Sequence, residues 1–430
     1  MMSFAFVDRV LHPRYSNVMR VAAAAGAAVV FLGVTPCSVD AQIRLTFDKR
    51  PSLQVHDLLT VDLRVKSQSD FRDFPEEPGT DEKRLFDLHR ARLGVEGTFL
   101  KRFEYQVESE LRDPSRPWRD VYVDARVAKN FGVRAGQFKI PFGLDQLTGS
   151  MDLDFNYRSL AGSFLSPGRD VGLMAHGRVL HEIVRYQAGV FRSGGDNVRA
   201  SERTDPQTRR TYAGRVVIKP WDSSKSYRLL RSVSGGVAYT TGDLPEGPNG
   251  LRGKTVPGDA FFDRLYVNGR RQRMGVEFQW RPASLGLQGE FIRTRDQRVR
   301  QGIEDENLPD SLARGWYVSG TWLLTGERKT DSVEPAHPLF HGGIGAVEIA
   351  GRVEQLRSSS DSVNGAFTTP RSPLIAPRTD NVWTAGVNWY LNEYLKVQAN
   401  LIREQRPSNG QPDGALEYFW SRTLRLQFGL

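Results

Sequence analysis

The stretch "RFEYQVESELR", residues 102–112, decides the fold class because its polar and apolar side chains alternate one by one. Phe103, Tyr105, Val107 and Leu111 fall on one face of an extended chain, and the charged and amide residues between them fall on the other face. A helix would scatter the two sets around its surface. The stretch is therefore predicted to be a β-strand with one apolar face and one hydrated face.

The same alternation recurs along most of the chain. It returns in "DVYVDARVA" (120–128), "WYVSGTWLL" (316–324), "VWTAGVNWYL" (382–391) and "EYLKVQANLI" (393–402). We count about sixteen such segments between residues 55 and 430, and no stretch of convincing helical period competes with them. This repetition predicts an all-β protein in which residues 55–430 form one transmembrane antiparallel β-barrel of about 16 strands.

The connections between these segments alternate in length, which supports a barrel over a soluble sandwich. Short polar turns occur at 128–132, 179–182, 281–284 and 391–394. Long connections are expected at 67–84, 141–168, 194–210, 241–268, 296–312, 326–342, 357–379 and 405–416. Short periplasmic turns opposite long external loops are typical of barrels in a bacterial outer membrane.

The N-terminal region contains the one long apolar run, "VAAAAGAAVVFLGV" at residues 21–34. It precedes small residues at Val39 and Ala41, so residues 1–41 are predicted to be a secretory signal peptide cut after Ala41, with Met19 as a possible true start. The alternative is an uncleaved anchor. Residues 42–54 then form a short N-terminal segment. The single cysteine, Cys37, lies within the signal, so no disulfide and no cysteine-based metal site is expected in the mature chain.

The net charge of +9 indicates an anionic partner. Nucleic acid, an anionic surface and an anionic solute all fit a basic chain, but export makes nucleic acid the weakest of the three. We therefore expect no nucleic-acid binding.

The alternation breaks down in "VRAGQFKIPFGLDQLTGS", residues 133–150. A β-bulge at Gly136 would turn Phe138 and Ile140 towards lipid and Lys139 towards the barrel interior. The segment that follows Lys139, near 141–168, is the natural candidate for a loop folded into the lumen. The alternative is that Lys139 lies at the membrane interface or pairs with Asp145.

Several spaced motifs resemble one known family. They are "HRARLGVEGTFLKRFEYQVESEL" (89–111), "GQFKIPFGLDQLTGSMDLDFNYRSLAGSFLSPGRDVGL" (136–173) and "SGTWLLTGERK" (319–329). In these motifs the chain resembles the phosphate-selective porin O and P family of the bacterial outer membrane. The resemblance implies a homotrimer of barrels with a constricting loop, acting as a passive diffusion channel for small hydrophilic solutes, anions such as phosphate above all. It implies no catalysis and no cofactor.

Strand parity and this loop together give a set of candidate residues that would guide anions through the pore. The set is Lys139, Arg134, Arg158, Arg169, Arg126, Arg92 and Arg90. The same interior faces carry nearly as many carboxylates, so the lumen does not by itself specify phosphate. Two basic runs, "TDPQTRR" (204–210) and "RTRDQRVRQG" (293–302), are expected in external loops, where they would gather anions, contact lipopolysaccharide and other outer-membrane lipid, or only be solvated.

Other functions remain open on the sequence. A barrel of this kind can carry a different solute, or serve as a receptor or scaffold with a plugged lumen. An outer-membrane hydrolase would need a histidine beside a nucleophile, and none of the histidines after residue 41 lies in a recognisable nucleophile motif. His337 and His341, in "AHPLFHGG", have a spacing that suits a metal only on a helix, and the proline and glycines there predict a loop.

Overall fold

The computed structural model describes residues 43–74, 86–114, 117–193, 209–221, 229–248, 251, 255–258, 265–360, 378–407 and 416–430. The predicted signal peptide, residues 1–41, lies outside these ranges, and so does most of the basic run 204–210. Within them, no helix is both long enough and apolar enough to cross a membrane.

The described residues are almost entirely β-strands. The strands are β1 (Ile43–Asp48), β2 (Arg50–Val55), β3 (Leu59–Asp73), β4 (Phe86–Phe99), β5 (Phe103–Glu110), β6 (Trp118–Ala128), β7 (Phe131–Lys139), β8 (Arg169–Val179), β9 (Val184–Phe191), β10 (Thr211–Ile218), β11 (Ser234–Pro248), β12 (Tyr266–Trp280), β13 (Leu285–Arg298), β14 (Leu308–Leu323), β15 (Ala346–Ser360), β16 (Arg378–Tyr390), β17 (Leu395–Pro407) and β18 (Leu416–Gly429). Two short helices, α1 (Leu144–Leu147) and α2 (Leu160–Phe164), lie between β7 and β8. Single 3₁₀ turns occur at Leu230–Ser232, Ile303–Asp305 and Leu339–His341.

The sixteen strands β3–β18 close into one antiparallel barrel. Each strand pairs with the next along the chain, and β18 pairs back onto β3 from Arg422↔Asp73 to Gly429↔Lys66. The prediction of a transmembrane barrel of about 16 strands is therefore confirmed. β2 pairs with β3 as well, from Ser52↔Asp62 to Val55↔Leu59, on the stretch of that edge that β18 does not reach.

Side chains alternate between the two faces of the barrel wall as the sequence predicts. On β18, Leu424 and Leu426 are 44% and 47% exposed, whereas Thr423 and Arg425, which point inward, are 4% and 1% exposed. An apolar exterior of this extent is stable only against lipid, because in water it would favour association with other apolar surfaces.

Some of the predicted loops need correction, either in their position or in their length. The connection around 326–342 was expected at the long-loop end, but successive connections alternate between the two ends of the barrel. The connection 324–345 between β14 and β15 therefore lies at the same end as the short turns. The predicted loops 67–84, 241–268 and 296–312 are also too long, because β3 continues to Asp73, β11 to Pro248 and β13 to Arg298, and β14 begins at Leu308.

The predicted bulge at Gly136 is wrong. β7 pairs without interruption with β8 from Gly132↔His176 to Lys139↔Arg169, and also with β6 around Gly136. Phe138 and Ile140 are consequently not turned to lipid but are buried inside the barrel, 1% and 0% exposed. Gly136 is needed for a different reason. Its φ is +127°, and a Cβ atom there would lie 2.3 Å from the carbonyl oxygen of Val121.

The register irregularity lies instead on the neighbouring strand β6. Val107 pairs with Val121 and Ser109 pairs with Trp118, so two residues of β6 lie opposite one residue of β5. The two residues of the bulge, opposite Glu108, are Arg119 and Asp120. The bulge brings both of them next to charged interior residues, since Asp120 binds Arg169 and Arg119 interacts electrostatically with Arg92.

Residues 140–168, between β7 and β8, form the inward segment. Phe142, Leu160, Ala161 and Leu165 of this segment are at most 4% exposed. They pack in one apolar cluster with residues that point into the barrel from the strands β11 and β13–β17, namely Ala238, Ile292, Ala313, Leu356, Val382 and Ile402. The segment thus has its own small core against one side of the barrel interior, which fixes its position by burial of apolar surface.

Candidate functional site

Two carboxylates on the barrel wall hold the two short helices of the inward segment. Glu290 of β13 accepts hydrogen bonds from the backbone N–H groups of Leu144, at 3.1 Å, and Asp145, at 3.2 Å. Glu354 of β15 accepts one from the N–H of Leu160 at 2.5 Å. Both carboxylates therefore bind unpaired N–H groups at the start of α1 and of α2, where a negative charge is favourable.

Two lysines hold the stretch between the two helices. Lys396 of β17 donates hydrogen bonds to the carbonyl oxygens of Met151 and Leu153, each at 3.0 Å. Lys329, from the β14–β15 connection, donates to Asp154 and to Glu348 of β15, each at 2.5 Å. The connection between β14 and β15 lies at the short-turn end of the barrel. Through Lys329 this connection reaches into the barrel and binds the inward segment.

Lys139 binds the inward segment from the opposite side. Its Nζ atom donates to the carbonyl oxygens of Gln146 at 2.7 Å, Leu147 at 3.2 Å and Thr148 at 3.0 Å. These oxygens lie at the C-terminal end of α1, where a cation is favourable. Lys139 thus lies beside the inward segment, as predicted. It reaches this position as the last residue of a regular strand, without the predicted bulge at Gly136.

Arg158 lies next to Lys139. Its guanidinium group donates to the carbonyl oxygen of Asp145 and, at 2.7 Å, to that of Thr148. The carbonyl oxygen of Thr148 therefore accepts hydrogen bonds from two cations. The Asp145 carboxylate is 3.9 Å from Arg158, which makes a weak ion pair but not a hydrogen bond.

Arg90 completes a group of cations bound mainly to neutral oxygens. Its guanidinium group donates to the side-chain oxygen of Gln68, and its Nε atom is buried with no hydrogen-bond partner. Arg90 interacts electrostatically with the cations Arg92 and Arg158 and with the carboxylate of Glu110, and Lys139 interacts with Arg92, Arg158 and Arg169 and with the carboxylate of Asp120. Lys139, Arg158 and Arg90, here called the cationic cluster, therefore leave an excess of positive charge beside the inward segment.

The four other candidate residues are each neutralised by a neighbouring carboxylate. Arg92 binds Glu110 at 2.9 Å and Glu108 at 3.1 Å. Arg169 binds Asp120 at 2.8 Å, Arg134 binds Asp124 at 2.8 Å, and Arg126 binds Glu104 at 2.6 Å. Within the candidate set, the structure thus separates three cations whose hydrogen bonds go to neutral oxygens from four that bind carboxylates directly along the wall.

The two sides of the interior differ in their access to solvent. On the side covered by the inward segment, Arg271 and Arg273 of β12 are 1% exposed and Glu348 is 0% exposed. On the opposite side, formed by β5–β9 and here called the open wall, the side chains of Arg134 and His176 are both 28% exposed. A cavity of about 480 Å³ lies along this wall, bordered by Arg126, Arg134, His176 and Arg215 among others. Solvent thus reaches the interior along the open wall.

Two basic residues near the cationic cluster were missed by the sequence analysis. Arg119 lies in the β6 bulge and has one weak ion pair, with Asp113 at 3.7 Å. Lys66 of β3 binds Glu108 at 2.5 Å. Strand parity alone identifies Lys66 as inward. The inward position of Arg119 depends on the bulge, and no residue pattern in "RPWRDVYV" (116–123) predicts that bulge.

The two histidines near the interior lie next to carboxylates, and His89 also contacts Arg72, at 3.1 Å from Nδ1, and the ring of Tyr157. His176 Nε2 lies 3.0 Å from Asp124, and His89 Nδ1 lies 3.7 Å from Asp70. Among the residues that the structure describes, no three His, Cys, Asp or Glu side chains form a group able to hold a metal ion.

The fold agrees with solved outer-membrane proteins. OmpT of Vibrio cholerae superposes with a TM-score of 0.56 at 11% identity, covering 88% of this chain and 99% of that one. OprB of Pseudomonas putida superposes with a TM-score of 0.51 at 12% identity, covering 87% of this chain and 94% of that one. At such identities the likeness concerns the fold alone.

Sequence comparison adds the family. A curated relative, Porin O of Pseudomonas aeruginosa, is 24% identical over 367 residues, which cover 76% of this chain and 79% of the relative. The family model for phosphate-selective porin O and P matches residues 61–430. With the closed barrel, this makes the protein a channel of the bacterial outer membrane that passes small hydrophilic solutes. Because the match spans nearly the whole barrel, the chain belongs to the phosphate-selective porin O and P family.

Proposed function

We propose that this channel favours small anions, with phosphate among its solutes, and that they pass between the open wall and the cationic cluster. The observation that carries the proposal is the sharing of one carbonyl oxygen, that of Thr148, by Lys139 and Arg158. A carbonyl oxygen carries only a partial charge, so it cannot neutralise two cations. The remaining positive potential favours an anion that has lost part of its hydration.

The chemistry of the cluster suits an oxyanion. Guanidinium groups present several N–H donors in one plane and bind phosphate oxygens in pairs, while an ammonium acts as a point charge. Arg158 and Arg90 supply the first kind of group and Lys139 the second. The family description, phosphate-selective, supports the same preference.

The ion pairs of the wall give the passage a second property. Arg134 with Asp124, and Arg126 with Glu104, line the open wall with charges of both signs. Paired charges bind an ion weakly, so a solute that leaves the cationic cluster is not trapped further along. Conduction requires this balance between entry and release.

The proposal extends to assembly and chemistry. Three copies form a homotrimer, as the family resemblance implies, and the exterior contacts outer-membrane lipid including lipopolysaccharide. The channel works passively, without a cofactor and without catalysis. Gel migration of unheated protein tests the trimer, and lipase and protease assays of the purified protein test the absence of catalysis.

Single channels in planar bilayers test the solute preference. Under a tenfold gradient of potassium chloride, and then of potassium phosphate, we expect reversal potentials of the sign that anion flow produces. A reversal potential of the opposite sign would refute the anion preference. Absence of any current would indicate a plugged barrel, and therefore a receptor or scaffold.

A further inference from the structure

The basic run 293–302, expected in an external loop, lies partly within a strand. Residues up to Arg298 belong to β13, so the alternation of the strand divides the charges between the two faces of the wall. Asp296 and Arg298 point inward and are 1% and 4% exposed. Arg293 and Arg295 point outward and are exposed.

Arg293 has an arginine directly beside it on each of the next two strands. Arg293 of β13 pairs with Arg314 of β14, and Arg314 pairs with Arg357 of β15. All three have outward parity, because the residues just before them, Ile292, Ala313 and Leu356, are inward and at most 5% exposed. With about 4.8 Å between neighbouring strands, the backbones of the three arginines lie within about 10 Å of one another. We call them the arginine row.

The arginine row is uncompensated within the described part of the chain. No hydrogen bond, ion pair or ring contact there involves any of its three members, whereas Arg295 binds Asp310 at 2.6 Å. Like charges directly opposite each other on neighbouring strands are destabilising. A surface that carries three of them therefore requires an external anion to offset the repulsion.

The height of the arginine row on the barrel identifies the source of that anion. The next outward pair towards the short-turn end is aromatic, Phe291 with Trp316. Below that pair the exterior is apolar, with Val318 and Val353 at 50% and 40% exposure. Aromatic residues mark the edge of the apolar band of a membrane barrel. The arginine row thus lies just beyond this edge, on the side of the long external loops, at the level of lipid headgroups.

We propose that the arginine row binds the phosphate groups of lipopolysaccharide in the outer leaflet. Three guanidinium groups offer only donors, which matches phosphate oxygens, and the aromatic pair below them packs against the acyl chains of the same molecule. A second copy of the chain is a poor occupant, because this face would bring a row of uncompensated cations into the contact. The inference rests on the outer-membrane location and on the proposed contact with lipopolysaccharide, but not on the proposed anion preference.

Binding of lipopolysaccharide to the full chain refolded in neutral detergent tests the inference. In the triple variant Arg293→Gln, Arg314→Gln, Arg357→Gln we expect binding about 100-fold weaker than in the wild type, since each basic residue near a lipid surface contributes about a fivefold gain. The matched control removes three positive charges at the opposite end of the barrel, with Lys101→Gln, Lys129→Gln and Arg178→Gln, and keeps wild-type affinity.

Three further measurements keep the result interpretable. Without lipopolysaccharide, the triple variant should unfold at a higher urea concentration than the wild type, because the repulsion is gone, which also shows that it folds. Dephosphorylated lipopolysaccharide should bind the wild type as weakly as the intact lipid binds the triple variant. In bilayers free of lipopolysaccharide, the ion selectivity of the triple variant should equal that of the wild type.

Several results would overturn the inference. One is wild-type affinity for lipopolysaccharide in the triple variant, and another is equal binding of the dephosphorylated lipid. A stabilisation of the wild type by inorganic phosphate alone, as large as that by lipopolysaccharide, would assign the row to a free anion. A change of oligomeric state in the triple variant in neutral detergent would assign it to a contact between subunits.

Discussion

Replacing Lys139 with glutamine should lower the preference of the channel for anions without unfolding the barrel. Glutamine keeps amide donors for the carbonyl oxygens of Gln146 and Thr148, at 2.7 and 3.0 Å from Nζ in the wild type, but it removes the charge. A unit charge and an anion about 6 Å apart attract each other by about 2.8 kcal/mol at an effective dielectric of about 20, and by about 0.7 kcal/mol at that of bulk water. The ratio of anion to cation permeability should therefore fall by a factor of about 3 to 100.

Lys396→Gln is the matched control. The Lys396 ammonium also binds carbonyl oxygens of the inward segment, at 3.0 Å, but it is 4% exposed and lies on the covered side of the interior. Sequence reasoning alone places Lys396 away from the inward segment. That expectation is wrong, because the Lys396 ammonium binds Met151 and Leu153. Its loss should lower stability and leave selectivity nearly unchanged.

Reversal potentials of single channels in a tenfold salt gradient measure both variants. Heat-modifiable migration on a gel shows that each has folded. Equal changes in selectivity from Lys139→Gln and Lys396→Gln would refute the assignment of Lys139 to the ion path, and so would an unchanged permeability ratio in folded Lys139→Gln.

Three further predictions follow from the same contacts. Lys329→Met leaves the buried carboxylates of Asp154 and Glu348 without a cation and should destabilise the folded barrel by about 3 to 5 kcal/mol in urea unfolding, with partial recovery on adding Asp154→Asn. Burial by itself lowers the pKa of Lys329, but the two carboxylates outweigh burial and raise that pKa above the ordinary 10.5. The stabilisation by Lys329 should therefore persist up to about pH 10.5 and disappear at higher pH. A loss of this stabilisation near neutral pH would contradict the prediction. Deleting residues 428–430 removes pairings that close β18 onto β3, so the heat-modifiable form should be lost, and normal folding would show that closure does not depend on them. The anion preference should weaken between 0.1 and 1 M salt, where the screening length falls from about 10 to about 3 Å, and a preference independent of salt would argue against a charge-based mechanism.

The alternation of side chains predicted the barrel because it is a local property. Each of the barrel strands β3–β18 has one face towards lipid and one towards the interior, and a single sequence records that pattern in every segment. The inward segment was located for a similar reason, since Pro141 ends the strand and a long stretch without period follows.

Contacts between distant residues were not predictable in the same way. Arg425 binds Asp70 at 2.6 Å across 355 positions, a pair that exists only because β18 closes onto β3. Which cations are neutralised depends on register, and register changed at the β6 bulge and not at Gly136. Parity could therefore place Arg92 and Arg90 inside the barrel, but it could not show that Arg92 is paired with two glutamates while Arg90 binds a neutral amide.

The most direct test of the anion pathway is the effect of phosphate on chloride current through the wild-type channel and through Arg158→Gln. Arg158 and Lys139 share the carbonyl oxygen of Thr148, so an oxyanion bound there should occupy the path of chloride. We predict that added phosphate reduces the wild-type chloride current in a saturable manner, and that Arg158→Gln requires a concentration about tenfold higher for the same reduction. A wild-type chloride current that phosphate leaves unchanged, or equal block in the two proteins, would contradict the account.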